Sequence, residues 1–211
     1  MVRSAVLAIG ILMASLACAD NSDSAFEEAL HAARNDDWNS LAQVQKRLAD
    51  DHPLQAYLEF HRLRAALPEL SPQRVVEYGE RYPDSPLPDD IRQHALVAYA
   101  KESRWRDVLK VYDRAPRGTE LRCYYLRAQW ETGDKGALPQ ARELWLSGSS
   151  RPSSCDPLFD AARDQGVIGE PEIWQRLLLA FDQGATGLMS YLADMQSGAE
   201  ATAGEWLGRL H

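Results

Sequence analysis

Apolar side chains recur along this chain with the period of an α-helix. Three sets are spaced i, i+3, i+4 and i+7, which places each set on one helix face. They are Trp105, Val108, Leu109 and Tyr112; Leu121, Tyr124, Tyr125 and Ala128; and Trp174, Leu177, Leu178 and Phe181. No segment of comparable length alternates with a period of two, so the pattern predicts helices and no β-sheet.

Proline and glycine divide these stripes about every 12 to 20 residues. Four prolines follow a polar residue that can cap a helix, which predicts proline at the first helical position; they are Pro53, Pro72, Pro157 and Pro171. Four glycines lie just past a stripe, where a left-handed cap favours glycine; they are Gly133, Gly148, Gly166 and Gly184. The punctuation predicts about ten short helices joined by tight turns.

A weak internal repeat accompanies this pattern. The segments 37–41 (DWNSL) and 104–108 (RWRDV) each open a predicted helix after a short polar turn. Equivalent positions in two helical pairs favour an α-solenoid, a stack of helical hairpins. The tetratricopeptide consensus is missing, so the predicted class is an all-α, irregular α-solenoid or superhelical array.

Seven segments resemble one known family in the same order along the chain: 52–60, 81–86, 105–109, 120–130, 141–148, 154–159 and 174–177. They are similar to the N-terminal superhelical, U-shaped domain of the soluble lytic murein transglycosylases, periplasmic enzymes that cleave peptidoglycan glycan strands. The resemblance implies such a domain segment over residues 20–211. It also implies that the catalytic domain of the family lies several hundred residues further on, beyond this chain.

The N-terminus predicts export. Arg3 supplies a positive charge, residues 5–16 form an apolar run too short to span a bilayer, and residues 17–19 (ACA) form a small-residue cleavage site. We therefore expect a signal peptide over residues 1–19 and a periplasmic mature chain. The alternative is a lipoprotein acylated at Cys18, although Leu16 lies one place from the usual pattern.

Export changes the expectation for the cysteines. Cleavage after Ala19 leaves Cys123 and Cys155 in an oxidising compartment, which favours a disulfide between them. Such a bond closes a loop of about 32 residues and is expected to stabilise the fold by about 3 to 4 kcal/mol. The alternative is a pair of buried free thiols, and redox catalysis is disfavoured because no Cys-x-x-Cys is present.

Composition and charge narrow the classes of partner. The chain is 45% hydrophobic, which predicts one domain with a substantial core, and its net charge is −8. Loss of Arg3 with the signal peptide makes the mature net charge −9. This balance argues against nucleic acid or an anionic membrane as partner.

Glu102 is the most tempting candidate for chemistry. With Ser103, Arg104 and Trp105 it matches the Glu-Ser-x-aromatic motif that carries the catalytic acid of the family. That acid needs a raised pKa inside a sugar-binding groove, whereas a plain amphipathic helix follows here. We therefore expect a solvated glutamate at a helix end, and we predict no catalytic residue in this chain.

Other chemistry has little support in the sequence. The five histidines show no ligand spacing and no phosphate-binding glycine loop is present, so we predict no metal and no cofactor. Tyr124, Tyr125, Trp130 and Trp145 are able to stack on sugar rings. Their helical spacing favours core packing, with Trp130 and Trp145 packing helix against helix near the disulfide.

Two functional hypotheses follow from these observations. In the first, the chain is the non-catalytic scaffold portion of a lytic transglycosylase and helps to position glycan strands in cell-wall turnover. In the second, it is a free-standing periplasmic α-solenoid that binds a protein or a cell-wall partner. The reading frame downstream of His211 distinguishes the two hypotheses, since only the first requires a catalytic domain there.

Overall fold

The computed structural model describes residues 24–47 and 55–197, and all regular structure in these two ranges is helical. The predicted signal peptide, Cys18 and Pro53 lie outside the described residues. The helices are α1 (24–34), α2 (Trp38–Gln45), α3 (Gln55–Ala65), α4 (Pro72–Arg81), α5 (Leu87–Lys101), α6 (Trp105–Val111), α7 (Thr119–Glu131), α8 (Ala137–Trp145), a 3-10 helix (Ser153–Cys155), α9 (Asp156–Asp164), α10 (Glu170–Asp182) and α11 (Thr186–Asp194). The predicted all-α class is confirmed.

The chain forms two compact units, and the boundary between them falls after His94, within α5. In the first unit, a core of mainly alanine and larger aliphatic side chains joins α1, α2 and α3. Its buried members include Phe26, Leu41, Val44 and Leu58, and Trp38 packs against them. Among the described residues, no helix combines the length and apolar character needed to cross a bilayer.

Buried and half-buried polar contacts join α3 to α4 in this unit. The hydroxyl of the fully buried Tyr78 donates a hydrogen bond to the Ala56 carbonyl at 2.7 Å. Glu59 accepts hydrogen bonds from Arg81 at 2.8 Å and from the Tyr82 hydroxyl at 3.0 Å. Because burial of an unpaired hydroxyl is unfavourable, the Tyr78 hydrogen bond fixes the position of α4 on α3.

In the second unit, consecutive helices pack as neighbours. Helix α6 packs on α7, α7 on α8, α8 on α9, and α10 on α11, which is the arrangement predicted for an array of helical hairpins. The disulfide between Cys123 and Cys155 adds a contact between α7 and the start of α9, with the two Cα atoms 4.9 Å apart. Both cysteines are fully buried in the apolar core of the unit.

One type of turn ends five of the helices. In each turn, a residue with positive φ is followed by a backbone N–H that donates to the carbonyl five residues earlier, as in a Schellman motif. The left-handed residues are Asp36, Ser103, Gly133, Gly166 and Gly184. The first two lie directly before the repeated segments 37–41 and 104–108, so the sequence repeat corresponds to a repeated backbone turn.

Two details differ from the sequence-based expectations. On α10, Leu178 is 41% exposed, and the buried residues are Ile173, Arg176, Leu177 and Ala180. The buried face is therefore rotated around the helix relative to the predicted stripe, and it includes an arginine, a residue type that hydrophobic periodicity does not count. The second difference is Gly148, which has no positive φ and is required for close packing instead.

The disulfide generates the first prediction. Replacement of Cys155 by Ser is expected to lower the free energy of unfolding by about 3 to 4 kcal/mol, because an open chain has more unfolded-state entropy. Denaturant unfolding of the wild type and the variant, each with and without reductant, measures the change. Reductant should affect only the wild type, and a wild-type midpoint that reductant does not move would contradict the prediction.

The left-handed turns generate a second prediction, with two glycines as a matched pair. A Cβ at Gly166 or at Gly187 would meet no atom within 4 Å, but only Gly166 has a positive φ, of 70°. Gly166→Ala should therefore cost about 1 to 2 kcal/mol through backbone strain alone. Gly187→Ala, within α11, should stabilise by about 0.5 to 1 kcal/mol. Equal effects in thermal unfolding would show that the turn conformation is not the cause.

Candidate functional site

A pocket of about 240 Å³ lies in the second unit. Residues of α8, α9, α10 and α11 and of the loop after α8 form its walls. They are Trp145, Ser150, Arg151, Asp156, Phe159, Arg176, Gly187, Leu188 and Tyr191. The pocket thus combines aromatic rings with three charged side chains.

Arg176 is the central charged residue of this site. It is only 3% exposed, and its guanidinium carbon lies 4.0 Å from the centroid of the Trp145 ring. Its Nε donates to the Ser147 carbonyl at 3.2 Å, and its Nη2 lies 3.5 Å from the Ser149 carbonyl. Among the described residues, Arg176 forms no ion pair at contact distance. The contacts of its buried charge are backbone dipoles and a ring face, while Asp156 acts on it at longer range.

The loop after α8 owes its position to close contacts with α10. A Cβ on Gly148 would lie 2.3 Å from the Leu179 carbonyl oxygen, so only glycine fits there. The Ser149 hydroxyl donates to Gln183 Oε1 at 2.8 Å. Arg151 Nε donates to the Leu144 carbonyl at 2.8 Å. These contacts hold Arg151 beside Arg176 at the pocket.

The electrostatics of the site reflect two neighbouring guanidinium groups. Burial, and then the positive charge of Arg151, lower the pKa of Arg176 to about 10, while Tyr191 and Asp156 oppose the shift. Burial, followed by the charge of Arg122, also lowers the pKa of Arg151. Partial burial and the nearby Asp160 raise the pKa of Asp156, while Arg176 opposes that shift. At neutral pH, both arginines stay charged, and the pocket carries an excess of positive charge.

Aromatic side chains supply the other walls. Trp145 and Phe159 make an edge-to-face contact with ring centroids 5.2 Å apart. The indole nitrogen of Trp145 is buried and has no acceptor within the described part of the chain. Tyr191 is 52% exposed and leaves part of its ring open to solvent. A ligand that combines an acceptor or anionic group with an apolar body fits such a surface.

The structure places Glu102 outside this pocket. It is exposed in the turn after α5, directly before the left-handed Ser103. The Trp105 of the same motif begins α6 and lies under the guanidinium of Arg127, 4.7 Å from its ring centroid. Within the described part of the chain, no contact joins Glu102 to an enclosed cleft, which is the setting that a catalytic acid with a raised pKa requires.

Of the four aromatic candidates from the sequence, Trp145 alone lines the pocket. Tyr125 is buried and Trp130 packs against the same core, which also contains Cys123 and Cys155. Tyr124 is half-buried. Within residues 24–47 and 55–197, no cluster of three or more His, Cys, Asp or Glu side chains has the arrangement of a metal site.

Arg176 and Arg151 were missed by the sequence analysis. Arginine is almost never fully buried unless it is paired, so residue type alone points to the surface. The available signal was positional, since Arg176 lies at i+3 from Ile173 and i−4 from Ala180, within the buried face of α10. Arg151 lies in a loop and offers no periodic signal.

Comparison with known proteins gives one partial family match and several longer ones. A family model described as cucumovirus coat protein matches residues 134–211, a minority of the chain. The soluble lytic murein transglycosylase of Escherichia coli K12 is 31% identical over 195 residues, which is 89% of this chain and 30% of that protein. The enzyme of the same name from Salmonella typhimurium is 33% identical over 68% of this chain and 22% of its own length.

Solved structures give the same result. The crystal structure of the 70-kDa soluble lytic transglycosylase from Escherichia coli matches 90% of this chain with a TM-score of 0.82 and 29% identity. Its complex with bulgecin A matches with a TM-score of 0.80. An inactive mutant of the lytic transglycosylase Slt from Pseudomonas aeruginosa covers 81% of the chain with a TM-score of 0.68 and 27% identity.

The match is confined to one part of these longer proteins. This chain spans 31% of the Escherichia coli crystal structure and 28% of the Pseudomonas structure. The matched part of the Escherichia coli structure is N-terminal and helical. Over nearly its whole length, this chain is therefore a homologue of the N-terminal part of the soluble lytic murein transglycosylases.

Proposed function

We propose that this chain is the N-terminal scaffold portion of a periplasmic soluble lytic murein transglycosylase and helps to position glycan strands during cell-wall turnover. The observation that carries the proposal is the similarity over 89% of the chain to a soluble lytic murein transglycosylase, together with a matching helical structure. Fold alone does not define a function, but here sequence and fold agree on the same relatives.

A scaffold role is supported by what surrounds Glu102. The glutamate of the catalytic-like motif is exposed in a turn, and the pocket of the second unit is lined by two arginines and a single carboxylic acid, Asp156, instead of a pair of carboxylic acids. Cleavage of a glycosidic bond requires a proton donor at the leaving oxygen. Because arginine keeps its proton at neutral pH, neither Arg151 nor Arg176 is suited to that role.

Residence in the periplasm is supported by two features. The predicted signal peptide would direct export, and Cys123 and Cys155 are joined in the structure as expected for an oxidising compartment. The relatives, moreover, are named as soluble murein enzymes.

Binding to the cell wall generates the third prediction. The purified mature chain is expected to sediment with peptidoglycan sacculi, and the bound fraction should persist in about 1 M salt. A mature chain with a net charge of −9 has no general electrostatic attraction to an acidic polymer, so screening by salt should not release it. Reduced Cys155→Ser protein, assayed at a temperature where it is unfolded, serves as the negative control. Failure of the folded chain to sediment would favour a protein partner instead.

The fourth prediction concerns catalysis. This chain alone is expected to release no anhydromuropeptides from purified peptidoglycan, because Glu102 lacks an enclosed sugar cleft. Any trace activity should be the same in Glu102→Gln and in Glu143→Gln, which removes an equally exposed carboxylate from α8. Chromatography of the soluble products measures the release. Turnover that disappears in Glu102→Gln but not in Glu143→Gln would establish Glu102 as the catalytic acid.

A further inference from the structure

We propose that the pocket formed by α8, α9, α10 and α11 binds the carboxylate group of a small organic ligand between Arg151 and Arg176. The inference rests on the charge, burial and shape of the pocket. It does not depend on the scaffold role proposed above, and the two can fail separately.

The first argument is the buried charge of Arg176. A buried cation is unfavourable unless it is paired or fully hydrogen-bonded. Arg176 is 3% exposed, and its described contacts are two backbone carbonyls and the face of Trp145. A guanidinium has five N–H donors, so these contacts leave donors without a protein acceptor in the described part of the chain. No nitrogen of Arg176 is both fully enclosed and without a hydrogen-bond partner, and Arg176 lines the pocket. A ligand in the pocket can therefore reach the remaining donors.

The second argument is the presence of Arg151 on the same wall. Its Nε is occupied by the Leu144 carbonyl, whereas its two terminal nitrogens have no acceptor among the described residues. Two guanidinium groups brought into one pocket repel each other, and the charge of Arg151 accordingly contributes to the lowered pKa of Arg176. A bound anion would relieve that repulsion and accept hydrogen bonds from both guanidinium groups.

The third argument selects the charge of the ligand. Asp156 is the one acidic residue in the pocket lining, and with two arginines it leaves a net charge of +1. A single carboxylate neutralises that charge, whereas a phosphate dianion would leave an excess of negative charge beside Asp156. The balance therefore favours a monocarboxylate over a phosphate.

The fourth argument concerns the rest of the ligand. The volume of about 240 Å³ exceeds what a bare carboxylate fills, and Trp145, Phe159 and Leu188 supply an apolar wall. The exposed ring of Tyr191 extends the wall toward solvent. An acylated amino acid or an acidic amino sugar combines these features.

Direct titration of the purified mature chain tests the proposal. N-acetyl-L-alanine and its carboxamide have nearly the same shape and differ in charge, and N-acetylmuramic acid and N-acetylglucosamine form a second acid and neutral pair. Both acids are expected to bind saturably and to shift the Arg151 and Arg176 Nε–H signals in NMR spectra. The neutral partners are expected to bind at least about tenfold more weakly, because hydrogen bonds between charged groups are lost.

A matched pair of variants locates the site. Arg151→Gln, at the half-exposed arginine, should weaken binding of both acids about tenfold or more. Arg106→Gln removes the same charge from the exposed face of α6 and should leave the affinity unchanged. Arg176→Lys keeps the positive charge but removes the paired N–H donors of the guanidinium group. Near-ultraviolet circular dichroism checks that this variant is folded. If it is unfolded, Arg151→Gln alone decides the outcome.

The outcomes are distinct from those of the sacculus assay. Tighter binding of N-acetylmuramic acid than of N-acetyl-L-alanine would identify murein as the source of the carboxylate, and the reverse order would identify a free acylated amino acid. Equal affinity for an acid and its neutral partner would overturn the proposal. Tighter binding of inorganic phosphate, or an Arg151→Gln variant with unchanged affinity, would also overturn it. Sedimentation with sacculi can fail while acid binding persists.

Discussion

The second unit depends on the buried guanidinium of Arg176. From α10 it reaches the carbonyls of Ser147 and Ser149 and lies against the Trp145 ring, so one side chain fixes both the end of α8 and the loop that follows. Gly148 lets the same loop approach the α10 backbone. Because both contacts act on one short segment, they also fix Arg151, which creates the positive pocket. Arg176 thus both stabilises the packing of the second unit and contributes positive charge to the pocket.

Within each unit, the helices are joined by local turns and contacts between neighbours. The same left-handed turn reverses the chain after five helices, and neighbouring helices then bury apolar faces against one another. The disulfide joins α7 to the start of α9 and crosses the intervening α8 hairpin. Most contacts in such an array join helices that are neighbours in the sequence. The disulfide spans 32 residues, and closing that loop lowers the conformational entropy of the unfolded chain.

The similarity to the transglycosylases and the charged pocket are separate observations about this chain. Similarity in sequence and fold relates the chain to the N-terminal part of murein enzymes, whereas the pocket has an ionic chemistry of its own. The arginines attract an anion but do not donate protons at neutral pH.

The sequence by itself determined the helical class, most turn positions and the candidate pair Cys123 and Cys155, because periodicity, glycine, proline and compartment act locally or through composition. It did not reveal the left-handed turns at Asp36 and Ser103, where nothing in the residue type requires a positive φ. The packing role of Gly148 and the burial of Arg176 were decided only by the tertiary structure. Both depend on atoms of other elements, a carbonyl of α10 in one case and an aromatic ring with two loop carbonyls in the other, and no local pattern encodes those distances.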